Sequence, residues 1–241
     1  MDLRDGLGAL LLQILLEGGR RPRRAEHRRS GFGARRRRTL QERPDLLLRY
    51  ESALFLDDDV EIGADGINAL FRAMRAQGLD LAHPALTKDS RTAWPFLKKL
   101  AAGNGVVRVT SVEIMAPLMT RRALERAGWV FAESVSGWGS DLLLGPVVRS
   151  AFGPESIGVI GSVAVRHAAP VDVADGAFYA FLRRYGVDPG QEANRVASSF
   201  GVERFLRPLA PGEAGPAYRG AQEGRRQDRA MEGVGAKISS I

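Results

Sequence analysis

No cysteine occurs in the 241 residues. That excludes disulfides, thiolate–zinc sites and a cysteine nucleophile, while leaving the compartment unfixed. Lysine is nearly as scarce, with only Lys88, Lys98, Lys99 and Lys237. Long hydrophobic runs are missing as well. The apolar stretch at residues 7–16 is about ten residues long, against the roughly 20 that a membrane-spanning helix needs. Asp2 and Asp5 precede it and arginines follow it, with no small-residue cleavage pattern. It reads as a weak signal or an orphan amphipathic segment, no transmembrane helix is expected, and a cytoplasmic location is.

What is present divides the chain into three. Residues 20–38 hold ten arginines against one acid, Glu26, a local charge of +9. The whole chain carries +7, so the remainder is near neutral at −2. Any nucleic-acid or anionic-lipid signal therefore rests on this Arg-rich segment alone. It lacks apolar periodicity, and few aromatics interleave to stack on bases. We expect residues 1–38 to be low in order, residues 39–206 to form the folded domain, and residues 207–241, rich in Pro, Gly and charge, to be a flexible tail.

Hydrophobic residues make up 44% of the chain, enough for a packed core. The organising stretch is Ala53-Leu54-Phe55-Leu56-Asp57-Asp58-Asp59, a short apolar strand that stops at three carboxylates. Alternation along extended backbone would put Asp57 and Asp59 on one face and Asp58 on the other. Paired carboxylates resist joint ionisation unless a cation lies between them, and hard cations favour oxygen ligands. A solvated acidic turn is the plainer alternative.

Downstream, Ile67, Leu70, Phe71 and Met74 follow helical spacing after Asp65, a candidate cap, and the helix ends near Gly78. Residues 79–81 read as a strand ending at His83-Pro84, giving the strand–helix–strand alternation of an α/β layer fold. Trp94-Pro95-Phe96 suits either core burial or stacking on sugars or bases. Residues 106–115 are β-rich and carry Glu113. Thr120 caps a helix closed by Gly128. Residues 157–160 and 162–166 look like two strands meeting near Gly161, with His167 after them. Helices are expected up to Gly186 and over residues 191–200. Asp57/Asp59, Glu113, Asp141 and His167 thus fall at element ends. Acids and a histidine at the carboxyl edge of a sheet suggest metal-assisted transfer.

Five segments in order carry a resemblance: Leu54-Phe55-Leu56-Asp57-Asp58-Asp59, Leu79-Asp80-Leu81-Ala82-His83-Pro84-Ala85-Leu86, Val112-Glu113-Ile114-Met115-Ala116-Pro117, Gly137-Trp138-Gly139-Ser140-Asp141, and Ile157-Gly158-Val159-Ile160 with Val165-Arg166-His167. Together they resemble the glycosyltransferase-like domain of unknown function labelled "lysine-ketoglutarate-reductase trans-splicing related", which is similar to GT-A nucleotide-sugar transferases. The resemblance implies a Rossmann-like mixed sheet flanked by helices, and a transferase moving a sugar from a nucleotide-sugar donor to a carbohydrate or other hydroxyl acceptor. It implies Mn²⁺ or Mg²⁺ held by Asp57, Asp59 and His167, with Asp57 and Asp58 toward the donor diphosphate. It implies Asp141 as general base, with inversion, and Trp138 as a wall for the acceptor. Glu113 would bind acceptor hydroxyls or serve as the base instead. Only 56 residues precede Asp57, fewer than such a fold usually places there, so part of the N-terminal nucleotide-binding half is expected to be missing. Two other readings stand beside it. One is a haloacid-dehalogenase-like phosphotransferase with Asp57 as nucleophile and Asp59 as acid/base, which the scarcity of lysine disfavours. The other is a non-catalytic binding remnant.

Overall fold

A computed structural model describes residues 13–16, 50–100, 105–168 and 176–220. The Arg-rich segment and residues 221–241 lie outside the described residues. Among the described residues the architecture is α/β: one open mixed sheet of seven strands flanked by helices.

The sheet is built on β2 (Ser52–Leu56), β4 (Leu81–Leu86) and β7 (Ile157–His167). β6 (Leu118–Thr120) lies between β2 and β4, antiparallel to both, and β4 pairs parallel with β7. The three long strands therefore run the same way and end at one edge. β1 (Gln13–Leu16) adds antiparallel to the far side of β2, so that flank of β2 is paired. β3 (Val60–Glu61) and β5 (Val106–Arg108) both add antiparallel to β7.

Burial follows from this order. Residues 53–56 and the whole of β4 are buried without alternation, as befits strands covered on both faces. β7 is buried through Gly161 and then alternates, with Ser162, Ala164 and Arg166 exposed. Beyond that point one face of the strand meets solvent, and period-two patterning appears. α1 (Ala64–Ala76) lays Leu70, Phe71 and Met74 into the core against β4 and β7. Its N-cap is Gly63 rather than Asp65, which sits in the first turn, where its charge favours the helix dipole. After the short α2 (Phe96–Lys99), α3 (Arg121–Ala127) is capped as expected, with Thr120 accepting from the Ala123 N–H. α4 (Ser140–Phe152) is apolar nearly all round and correspondingly buried.

Three further expectations are corrected. β7 is one strand, not two; glycine at 161 suggested a break, but Gly161 donates to the Gly105 carbonyl and the chain continues. Likewise, β4 does not stop at His83-Pro84. Pro84 lies past the last β6 pair, Ala82–Leu118, and at the register break with β7, where a missing N–H does little harm. Finally, residues 207–220 are not a loose tail. Pro208 bridges Val109, Leu209 donates to the Arg108 carbonyl, and Leu206 and Tyr218 are buried. Arg149 reaches across from α4 to the Val109 and Thr110 carbonyls, 2.7 Å each, and Arg207 pairs with Glu213 at 2.7 Å. Composition signalled a tail, but the segment covers a strand edge that would otherwise stay unpaired.

α4 sits close against the backbone at residues 110–111. The Ser111 hydroxyl accepts the Gly145 N–H at 2.8 Å, and a Cβ at Gly145 would overlap the Thr110 carbonyl oxygen and stand 2.5 Å from Ser111 Cα. These are backbone atoms and cannot swing aside. Gly145→Ala should therefore destabilise the fold by about 3 kcal/mol. Gly63→Ala, where an added Cβ meets nothing within 4 Å, should cost far less, about 1 kcal/mol for placing Ala at the N-cap. Urea unfolding of the two variants checks the contrast.

Candidate functional site

Side chains gather at the edge where β2, β4 and β7 end. β2 gives way at Asp57 to a tight turn, in which the Val60 N–H donates to the Asp57 carbonyl at 3.2 Å. Asp57 and Asp59 are half-buried and Asp58 is exposed. The expected division of the three therefore appears, but a turn produces it rather than strand alternation. The turn leads into β3, whose Val60 pairs with His167 at the end of β7. That register sets Asp59 beside the imidazole, with Asp59 Oδ2 3.0 Å from His167 Nε2. On the other side of the ring, Nδ1–H donates to the Arg91 carbonyl at 2.5 Å.

Glu113 arrives from the stretch before β6. That stretch runs beside β2, where the Asp57 N–H donates to the Met115 carbonyl at 3.0 Å. Glu113 is therefore irregular backbone just beyond the strand end, not part of a β-run. Thr92 Oγ1 donates to Glu113 Oε2 at 2.7 Å. Asp141 opens α4. Its Oδ1 accepts the Gly139 N–H at 3.1 Å and its Oδ2 accepts the Trp94 indole N–H at 3.2 Å. Gly137 and Gly139 both take left-handed backbone angles, φ 88° and 91°, which only glycine adopts without strain. An added Cβ at Gly139 would also stand 2.9 Å from Val196 Cβ. The Gly-Trp-Gly pattern is thus a requirement of the turn that swings Asp141 into place.

The electrostatics tie the cluster together. Burial pushes the Glu113 pKa up. Its bond from Thr92 opposes this, the charges of Asp141 and Asp57 add to the rise, and that of His167 opposes it, leaving about 8. Burial also raises Asp141, against the Gly139 and Leu142 N–H groups and Trp94, to about 6. For His167, burial disfavours the charged ring, but Asp59, the Arg91 carbonyl and Glu113 outweigh it and push the pKa up to about 9. Glu113 therefore feels the charges of Asp57, Asp141 and His167. The four islands that sequence spacing suggested do converge.

Trp138 is 39% exposed and meets Tyr179 edge-on, centroids 6.4 Å apart. Tyr179 lies on α5 (Ala177–Arg184). The loop bearing Trp138 is held by Glu192, in the first turn of α6 (Pro189–Phe200). Glu192 accepts from the Ser134 hydroxyl and from the Val135 and Ser136 N–H groups at 2.8–3.0 Å.

Among the described residues, no three His, Asp or Glu side chains are gathered so as to hold a metal by themselves. One carboxylate and one imidazole do meet, Asp59 and His167. With Nδ1–H committed to a carbonyl, neutral His167 carries its lone pair on Nε2, facing Asp59. This is the outer bond that orients a metal-binding imidazole.

Sequence reasoning missed Ser90, Arg91, Thr92 and Glu192, and for Trp94 it offered burial or stacking but not the bond to Asp141. Their bonds to the site span tens of residues, and nothing in local pattern marks them. Among the described residues, no helix is long and apolar enough to cross a membrane. Comparison with protein-family models, curated proteins and solved structures found no match to this chain.

Proposed function

We propose that this is a GT-A-like, metal-dependent glycosyltransferase that moves a sugar from a nucleotide-sugar donor to a hydroxyl acceptor. One observation carries the reading: two acids after β2, a histidine at the end of β7, and the Glu113/Asp141 pair between them meet at the carboxyl edge of an α/β sheet, where such folds bind ligands. Asp59 and His167 would hold Mn²⁺, with Asp57 and the exposed Asp58 toward the donor diphosphate. When bound, the cation supplies Lewis-acid stabilisation of the leaving diphosphate.

The chain's own residues do the rest. Asp141, held at a helix start by two donors, accepts the acceptor hydroxyl's proton as the oxygen attacks the anomeric carbon, so the product has inverted configuration. Glu113, protonated at neutral pH, donates a hydrogen bond to the acceptor rather than competing as base. Trp138 packs against the acceptor's apolar face. The dehalogenase-like alternative needs Asp59 as a mobile acid/base, and its bond to His167 argues against that.

Thermal-shift titration with Mn²⁺ and a panel of nucleoside diphosphates tests the donor site. At about a hundred times its dissociation constant the right pair should stabilise the fold by roughly 2.7 kcal/mol, a rise of several degrees in Tm. Because the protein supplies only part of the metal's shell, Mn²⁺ alone should shift Tm far less than Mn²⁺ with nucleotide. Asp59→Ala should lose the joint effect. A folded wild type that responds to no pair would defeat the proposal.

A further inference from the structure

One short segment touches three of the site's four islands. After β4 ends, residues 87–91 are stitched to β7. The Thr87 N–H donates to the Val165 carbonyl, buried Ser90 donates to the same oxygen and accepts the His167 N–H, and the Arg91 N–H donates to the His167 carbonyl. From that anchored base the Arg91 carbonyl takes His167 Nδ1–H, Thr92 takes Glu113, and Trp94 takes Asp141.

We propose that residues 90–94 form the positioning strap of the site: Thr92 fixes the Glu113 carboxyl in place, and Trp94 tips the division of the pair, Glu113 as donor and Asp141 as acceptor, by holding Asp141 as a carboxylate. The argument is one of hydrogen-bond polarity. Thr92 Oγ1 accepts the Trp94 backbone N–H at 2.9 Å and donates to Glu113 Oε2 at 2.7 Å, so the strap's own backbone holds the hydroxyl against that carboxyl. Asp141 meets two groups that can only donate, the Gly139 N–H on Oδ1 and the Trp94 indole N–H on Oδ2. Two donors on two oxygens match a carboxylate better than an acid. The charged groups around Glu113, namely Asp141, Asp57 and His167, include two anions, which favours the same division. Thr92 and Trp94 are positioning residues, since they act through the carboxyl groups they hold.

This inference rests on the transferase reading for what the pair acts upon, but its test needs neither metal nor nucleotide. The carboxyl carbons of Glu113 and Asp141 would be followed by ¹³C NMR against pH in the full chain, with assignments from Glu113→Gln and Asp141→Asn. In the wild type, Glu113 should titrate above Asp141. Thr92→Val removes a donor that favours the ionised form, so the Glu113 midpoint should rise by about one unit, while Thr92→Ser leaves it in place. Trp94→Phe should raise the Asp141 midpoint and spare that of Glu113. Asp141 titrating above Glu113 in the wild type would overturn the proposal even if no variant folds. So would Thr92→Val and Thr92→Ser lowering Tm alike with neither midpoint moving, the mark of a mere spacer. A missing Mn²⁺–nucleotide response, by contrast, would sink the transferase reading and leave these midpoints to be read on their own.

Discussion

If the proposed site holds Mn²⁺ with a nucleoside diphosphate, binding at pH 7 should release about one proton, with His167 as its source. In the metal-free protein His167 is almost wholly protonated at pH 7, because its pKa is pushed up to about 9. The Nε2 proton lies toward Asp59 Oδ2, where the cation would have to bind. Cation and proton compete for one lone pair. Affinity should therefore rise about tenfold per pH unit between pH 7 and 8.5, flattening as pH nears the His167 pKa. Calorimetry in two buffers of different ionisation enthalpy measures the proton count directly. His167→Gln should abolish the release and flatten the pH profile, and Asp59→Ala should weaken binding at every pH. A wild type that binds the pair with no proton release would show that His167 stays outside the metal's shell. Salt would not imitate the effect, since the Asp59–His167 pair is only partly exposed and weakly screened.

The sequence told more about elements than about what connects them. The apolar run into Asp57, the helical spacing of Leu70, Phe71 and Met74, and the Thr120 cap are local signals, and local physics produced what they suggested. Glycine misled at 161, because composition says where a chain is free to turn and not whether it does. Pro and Gly misled again at 207–220, where tertiary pairing with the backbone beside β5 overrode a disordered look. The site was legible as a set of islands, since acids and a histidine stood at expected element ends. The Thr92–Glu113 and Trp94–Asp141 bonds were not, because each joins loops far apart in the chain whose proximity only the strand order creates. Nor did sequence distinguish the ionisation of two carboxyl groups that look alike in one dimension. Their surroundings separate them.

That separation has a stability cost, which Glu113→Gln should relieve. Glu113 is raised from its ordinary 4.5 to about 8, chiefly by burial. Between those values the unfolded chain has lost a proton that the folded one keeps, so stability falls as pH rises from 4.5 through 8. Below 4.5 both states hold the proton and the cost vanishes. Glutamine is near-isosteric, keeps an oxygen for Thr92 to donate to, and never ionises. Glu113→Gln should therefore match the wild type near pH 4.5 and exceed it by on the order of 3 kcal/mol at pH 8, with a flatter pH profile between. Urea unfolding at the two pH values decides it. The opposite sign, a variant weaker at pH 8, would mean that Glu113 is ionised in the fold and bound to His167, which would remove it as a hydrogen-bond donor. If the gain in stability comes with a loss of transfer, the buried proton is held at that cost for the reaction and not for the fold.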